Sequence, residues 1–373
     1  MTQRVALDGK RVLVIAYGHV ADTMAAVPGL RSLRAAYPSA RIDALVVKAS
    51  AAVLEGCPYV DEVVTWDDFR FKGSRFARAE KAAVIAALGM RLRSRRYHAV
   101  LVFHRSFRAL RQIAALSGAP IRAGVSSGRD GYTHAMPPPG DIHSSREENR
   151  AVLASIGVEE DGGGLELWTS AADEEVADRL LPAAAAGPTI GLHPGSDWSC
   201  QQWLPDRFAA VGRALEQRLG ARIVITGSRS EIGLEQEIAR ELKGSAVTLA
   251  GKTSLGQLAA VVRSLDLLIA VNSAPAAIAQ AVGTPSVILL GPEDPRLTGL
   301  IAGAKLGLVQ PGLRLAPGSW CEFGRWGLLS GCDSPMCRGV AGLDQLEPDE
   351  VTRVAIRILN ASADRRSHLE VAR

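Results

Sequence analysis

The chain has 373 residues, 47% of them hydrophobic and 22% charged, with a formal net charge of +4. That length suits two domains, and that apolar share fills two cores, which excludes a disordered or fibrous chain. The mild positive charge fits an anionic substrate or an acidic membrane surface but is too diffuse to imply nucleic acid, so no nucleic-acid partner is expected.

Met1–Lys10 is polar, and the apolar run Val12–Ile15 is too short for a secretory leader. No stretch approaches the roughly 18 apolar residues that span a bilayer. We therefore expect a cytoplasmic protein, with peripheral contact at the inner membrane face as a candidate. Arg11–Ile15 predicts a first strand, followed by the small, polar loop Ala16–Asp22 and a helix over Thr23–Tyr37. Arg41–Val47 and Tyr59–Trp66 predict strands, with a short helix Ala51–Glu55 between them. Phe69–Arg96 is a basic amphipathic stretch with nine Lys or Arg, ending in Arg91, Arg93, Arg95 and Arg96. It is either a solvated helix face or a contact for anionic lipid. Tyr97–His104 predicts a strand, Ser106–Leu116 a helix, Ile121–Gly124 a short strand, Gly128–Ile142 a loop and His143–Ile156 a helix.

Leu181–Pro188 is the best linker candidate, and the alternation restarts after it. Strands are predicted at Thr189–Leu192, Arg222–Thr226, Val247–Leu249, Leu267–Val271 and Ser286–Leu290. Helices are predicted at Pro205–Leu219, from Glu231 to about Leu242, at Ser254–Leu265, Ala276–Val282 and Pro348–Leu359. Before Ala276, Ser273 has the grammar of an N-cap and Pro275 of a first-turn proline; Gly283 and Pro285 end the helix. Strand–helix alternation on both sides of the linker predicts two tandem open α/β domains with a cleft between the carboxyl ends of their sheets.

Ligands of such sheets bind outside the carboxyl strand ends. Four loops of the second half meet that rule: His193–Ser196, Gly227–Glu231, Gly251–Ser254 and Asn272–Pro275. Their small residues let a ligand approach the backbone, and the helix start at Ser273 suits a phosphate. Glu231 is either a ribose acceptor or a carboxylate favoured by a helix dipole. In the first half, Asp22 is a candidate general base or a helix N-cap, and His19 a candidate base, phosphate contact or solvated histidine. There is no HExxH, no GxxxxGK[ST] and no GxGxxG after a strand, and no Asp-x-Asp, since Asp67-Asp68 is a bare pair. That points to metal-free chemistry. Cys321, Cys332 and Cys337, with Cys200 or a His as a fourth ligand, are a weak candidate for zinc or iron; the spacing lacks a CxxC, which favours free thiols.

Taken in order, several segments resemble glycosyltransferase family 9, the bacterial heptosyltransferases of lipopolysaccharide core assembly. VLVIAYGHVADTMAAVPGLRSLRAAYPSARIDALV is similar to the family's first strand, Gly-Asp loop and helix, and GCPYVDEVVTW to its next segment. IGLHPGSDWSCQQWLPDRFAAV resembles its "HPG…K-x-W-P…RF" region. ITGSRSE, LAGKTSLGQLAAVV, VNSAPAAIAQAVGTP and LLGPEDPRLTG resemble four further segments. The resemblance covers nearly the whole chain and implies an α/β GT-B fold, two facing Rossmann-like domains with a central cleft. It further implies residues 1–182 as the acceptor-binding domain and 187–373 as the nucleotide-sugar domain, the last helix being a candidate to pack back on the first.

The activity implied is inverting, metal-independent transfer of heptose from ADP-heptose to a sugar hydroxyl of a surface glycan or glycolipid, with no required cofactor. Asp22 falls on the family's proposed base. Ser196, Gln201, Gly227, Glu231, Thr253, Asn272, Ser273, Ala274 and Pro275 fall on the donor side; His19, Arg91, Arg93 and Arg95 are acceptor-side candidates. Some members carry a cysteine-rich segment where Cys321, Cys332 and Cys337 stand. The departures are Ala21 for Gly, Gln201 for a phosphate-binding Lys, Asn272 for Asp, Ala274 for Gly and Ala277 for His. Losing two cationic contacts weakens a diphosphate site by about 1.5–3 kcal/mol each. A different nucleotide sugar or a small acceptor of a specialised pathway, or a non-catalytic nucleotide-sugar-binding protein, are the alternatives this leaves.

Overall fold

The computed structural model describes residues 3–66, 77–103, 108–126, 128, 131–140, 143–181, 187–196, 201–291, 294–301, 303, 305–311 and 342–371; of residues 77–81 and 363–371 it describes the backbone alone. The chain forms two compact units that divide between Trp168 and Thr169.

In the first unit, strands β1 (Arg11–Ile15), β2 (Arg41–Val47), β3 (Glu62–Trp66), β4 (Ala99–Val102), β5 (Ile121–Val125) and β6 (His134–Met136) form one sheet. Their order is β3-β2-β1-β4-β5-β6, and every pairing is parallel. The helices are α1 (Val20–Ala36), α2 (Ala77–Ser94), α3 (Arg108–Leu116) and α4 (Ser145–Ser155). The central strands read as continuous apolar runs because both their faces are covered, and Val12 to Ile15 are all fully buried. Leu13, Ile15, Val100 and Val102 face Ile85, Leu88 and Leu92 of α2 and Leu110 and Ile113 of α3. Val12 and Val14 alternate to the other side, where α1 and α4 pack on each other.

The second unit holds β7 (Thr189–His193), β8 (Arg222–Ile225), β9 (Val247–Thr248), β10 (Leu267–Val271), β11 (Ser286–Leu289) and β12 (Leu306–Val309). Around them lie α5 (Ala171–Leu180), α6 (Pro205–Leu219), α7 (Ile232–Glu241), α8 (Leu255–Arg263), α9 (Ala274–Val282) and α10 (Pro348–Val371). The strand order is β12-β11-β10-β7-β8-β9, again parallel throughout. Counted from its own first strand, each sheet is ordered 3-2-1-4-5-6, the doubly wound arrangement whose ligand crevice lies where the order reverses. In both units that point lies beside the first strand.

Three expectations need correcting, and one strand was not expected. The segment Gly128–Ile142 is not all loop: His134–Met136 pairs with β5 as an edge strand. Leu306–Val309 adds another edge strand, on β11. The units divide before α5, because this helix packs on α8 and Arg263 reaches from α8 to Thr169 and Glu174. Finally α10 runs on to Val371, and Val351, Ala355 and Ile358 of its described part sit in the second core.

Candidate active site

At the carboxyl end of β1 the chain turns through Ala16–His19 into α1. His19 holds the N-cap position in extended geometry, φ −74° and ψ 179°. Asp22 therefore lies in the first turn, not at the cap itself, and its Oδ2 accepts the His19 backbone N–H at 3.0 Å. Its Oδ1 accepts the hydroxyl of Ser145, the first residue of α4, at 3.0 Å. Two further bonds fix α4 in place. Asn149 donates from Nδ2 to the Ala25 carbonyl of α1 at 3.1 Å, and the Ser144 N–H is capped by Glu147 Oε2 at 2.7 Å. Gly18 adds a steric condition, since its φ is +143° and a Cβ there would lie 2.6 Å from Asp22 Oδ2. The half-buried Asp22 carboxylate is thus fixed by two donors that occupy two of its roughly four acceptor positions. The helix-start role and the base role are compatible in this geometry.

In the second unit three of the four loops close on one carboxylate. Glu231 Oε2 accepts the Ser228 N–H at 2.5 Å. A Cβ on Gly195 would lie 1.8 Å from Glu231 Oε1, and one on Gly227 3.3 Å from Oε2. The Gly251 N–H donates to the Gly227 carbonyl at 2.9 Å, bringing in the third loop. A side chain at 195 would therefore displace the Glu231 carboxylate from its present position. His193 ends β7, buried, with Nδ1 2.9 Å from Thr226 Oγ1. Burial pushes its pKa down to about 4 against the opposing pull of the Glu231 charge, so the ring is neutral near pH 7.

The fourth loop follows β10, whose Ala270 is in register with His193, so Asn272–Pro275 leaves the sheet beside the other loops. Ser273 occupies the N-cap of α9, yet its hydroxyl donates to the Val271 carbonyl at 3.3 Å instead of capping the first turn. With Ala274, Pro275, Ala276 and Ala277 forming that turn, an anion meets backbone and the positive dipole end, with no charged side chain between. Ser196 donates to Gln201 Oε1 at 2.9 Å, and Gln202 Nε2 donates to the Ser196 carbonyl at 2.8 Å. Behind them Trp203 is buried edge-on to Phe208 and donates to the Leu346 carbonyl at 3.2 Å, which anchors the segment. Thr253 is half-buried, one residue before Ser254, the N-cap of α8.

Arg91, Arg93 and Arg95 lie at the other edge of the first sheet. Arg95 Nη2 is 2.7 Å from Glu62 Oε1, at the start of β3, and Nη1 is 3.7 Å from the fully buried Asp43 of β2. The His98 N–H, three residues after Arg95, bonds to the Arg11 carbonyl at the amino end of β1, whereas Asp22 follows its carboxyl end. The structure brings His19 to Asp22 and leaves the three arginines away from it. Cys200, Cys321, Cys332 and Cys337 lie outside the described residues, as do residues 67–76 of the basic stretch. Among the described residues no group of three or more His, Cys, Asp or Glu is placed to hold a metal ion. Sequence reasoning missed Ser145. The Ser144–Glu147 capping signature marks where α4 starts, but nothing local shows that Ser145 meets a carboxylate 123 residues away.

Residues 85–311 match the family model of glycosyltransferase family 9 (heptosyltransferase). The chain belongs to this family. It is accordingly an enzyme, a glycosyltransferase. Among curated relatives it is similar to lipopolysaccharide heptosyltransferase 3 of Escherichia coli, 27% identical over 286 residues, covering 73% of this chain and 81% of that protein. Its fold matches a glycosyltransferase family 9 structure from Veillonella parvula, with TM-score 0.78, 21% identity and coverage of 96% and 99% of the two chains. It also matches E. coli ADP-heptose lps heptosyltransferase II, with TM-score 0.72, 20% identity and coverage of 95% and 99%. The paired Rossmann-like sheets are thus those of the GT-B fold, as family 9 membership implies.

Proposed function

We propose that this family 9 enzyme transfers a heptose from ADP-heptose to a sugar hydroxyl of a lipopolysaccharide-type glycan in the cytoplasm, with inversion and without a metal. The observation that carries the reading is Asp22, a carboxylate fixed by His19 and Ser145 at the carboxyl end of β1. A base held in one orientation suits removal of a proton from an acceptor hydroxyl. The acceptor oxygen bonds to the anomeric carbon opposite the ADP, its proton passes to Asp22, and the bond from that carbon to the β-phosphate oxygen breaks. Charge then gathers on the leaving diphosphate. The start of α9 at Ser273–Pro275, with Ser196 and Gln201, supplies dipoles for it. Glu231, with Thr253 and the Gly227 loop, takes the nucleoside. The names of the relatives support ADP-heptose and lipopolysaccharide, and the lack of Asp-x-Asp supports the metal-free step.

The test is turnover of ADP-heptose with a heptose-deficient lipopolysaccharide core, with and without EDTA. We expect ADP release, an inverted anomeric centre by NMR, no effect of EDTA, and loss of turnover in Asp22→Asn. Inhibition by EDTA would remove the metal-free step, and turnover with another nucleotide sugar alone would remove the donor. That second donor reading has its own support in Gln201, Asn272 and Ala277, which change the charges expected around a diphosphate.

A further inference from the structure

The positive charge of the chain is concentrated in one segment. Between Glu80 and Asp130 stand ten Lys or Arg and no Asp or Glu, whereas the remaining residues carry 33 basic and 39 acidic side chains. The segment contains α2 from Lys81 onward and all of α3, the two helices lying side by side over one face of the first sheet. Their inner residues fill the core, but three apolar side chains do not: Met90 is 67% exposed, Leu116 42% and Val84 37%. Leu116 lies over Gly89, where a Cβ would meet it at 2.5 Å, so it is a neighbour of Met90. One turn further on, Arg93 reaches across to the end of α3, its Nη1 3.2 Å from where a Gly118 Cβ would stand. Arg93, Arg96, His98, Ser117 and Gly118 line an open depression of about 290 Å³. Arg91, Arg93 and Arg96 are exposed, and among the described residues the carboxylates nearby are taken by Arg11, Arg41 and Arg95.

We propose that this α2–α3 face seats the protein on an anionic bilayer, with Met90 and Leu116 entering the head-group layer and Arg91, Arg93 and Arg96 meeting lipid phosphates. Exposed apolar side chains on helices that also carry exposed arginines are the composition of an interfacial surface. A nucleic acid would meet the same cations, but Met90 and Leu116 gain nothing against hydrated phosphates. Among the described residues of the face no exposed Phe, Tyr or Trp offers a base a stacking surface; His98 is the one exposed ring there. The inference is independent of the donor and acceptor proposed above.

The experiment is flotation of the full-length protein with vesicles of phosphatidylcholine alone or with added phosphatidylglycerol. Salt is varied from ~0.1 M to ~1 M, which shortens the screening length from about 10 Å to about 3 Å. We expect binding to the anionic vesicles only, lost at high salt. Each neutralised cation should lower partitioning about fivefold, so Arg91→Gln/Arg93→Gln/Arg96→Gln should lower it about a hundredfold. Met90→Asp should lower it roughly tenfold or more. The melting temperatures of the variants confirm that they fold. Absence of binding to anionic vesicles overturns the proposal. So does heparin binding of equal strength with Met90→Asp leaving vesicle binding unchanged, which would mark a general polyanion surface.

Discussion

The two units share one strand order and use it differently. At the carboxyl edge of the first sheet a charged side chain is fixed in place: Asp22 takes donors from its own turn and from α4, and Gly18 leaves room for it. At the same edge of the second sheet, side chains are stripped away. Gly195 and Gly227 lie against Glu231, Gly251 is bonded to Gly227, and α9 begins with alanines and a proline. On the function proposed above, the first edge presents one reactive group and the second brings backbone close to a ligand. A shared scaffold supplies the position of a site, and the loops supply its chemistry.

The sharpest way to break this contrast is Asp22→Asn, which keeps the shape and removes the base. We expect kcat to fall by about 10²–10⁴, while the thermal shift caused by ADP stays at the wild-type value, since the donor site proposed above lies in the second unit. Loss of the ADP shift in this variant would show that the division of labour is wrong.

The contrast also explains what could be read in advance. The central strands were legible because apolar runs such as Leu267–Val271 have one physical use, burial on both faces. The edge strands were not. His134–Met136 is three residues of mixed polarity ahead of three prolines, and only its pairing with β5 makes it a strand. The helix α5 was overlooked although Ser170 and Asp173 form a capping box around its start. Asp22 was legible as a polar residue after a first strand, and Glu231 as a carboxylate on a glycine loop. What each touches was not, since Ser145 and Gly195 come from distant segments brought close by helix packing and by strand order.

The next largest effect belongs to the second unit alone. His193 is buried and neutral, with its pKa pushed down to about 4. Between an ordinary value near 6.5 and that one, the unfolded chain binds a proton that the folded chain refuses. Stability is therefore complete above pH 6.5 and declines as pH falls towards 4, by about 3 kcal/mol in all. Thermal melting from pH 7.5 downwards should show this decline, and His193→Asn should flatten it. An equally steep decline in the variant would assign the effect to other groups.

A smaller change tests the first edge. Ser145→Ala removes one of the two donors to Asp22 and should cost about 1 kcal/mol of stability. If Ser145 positions the base, kcat should fall roughly tenfold with KM unchanged, and Ser145→Thr should restore part of the loss. A stability change without a kcat change would make Ser145 a helix-packing residue only.

The smallest expected effect compares two residues with the same backbone problem. Arg96, after α2, and Lys243, after α7, both hold φ at 54°, and both are exposed. Side-chain-bearing residues pay about 1 kcal/mol or more in that region, whereas glycine does not. Arg96→Gly and Lys243→Gly should therefore each stabilise the protein, by about 0.5–1 kcal/mol once the greater freedom of glycine in the unfolded chain is set against the gain. For units of this size, melting should rise by about 1–4 °C. Their shared backbone geometry makes each the control for the other in vesicle binding. Arg96→Gly should lose about fivefold of its partitioning onto anionic vesicles and Lys243→Gly none. Equal losses would mean that affinity follows net charge wherever it sits, and a stable Arg96→Gly that binds as well as wild type would mean that the strained arginine does nothing at the membrane.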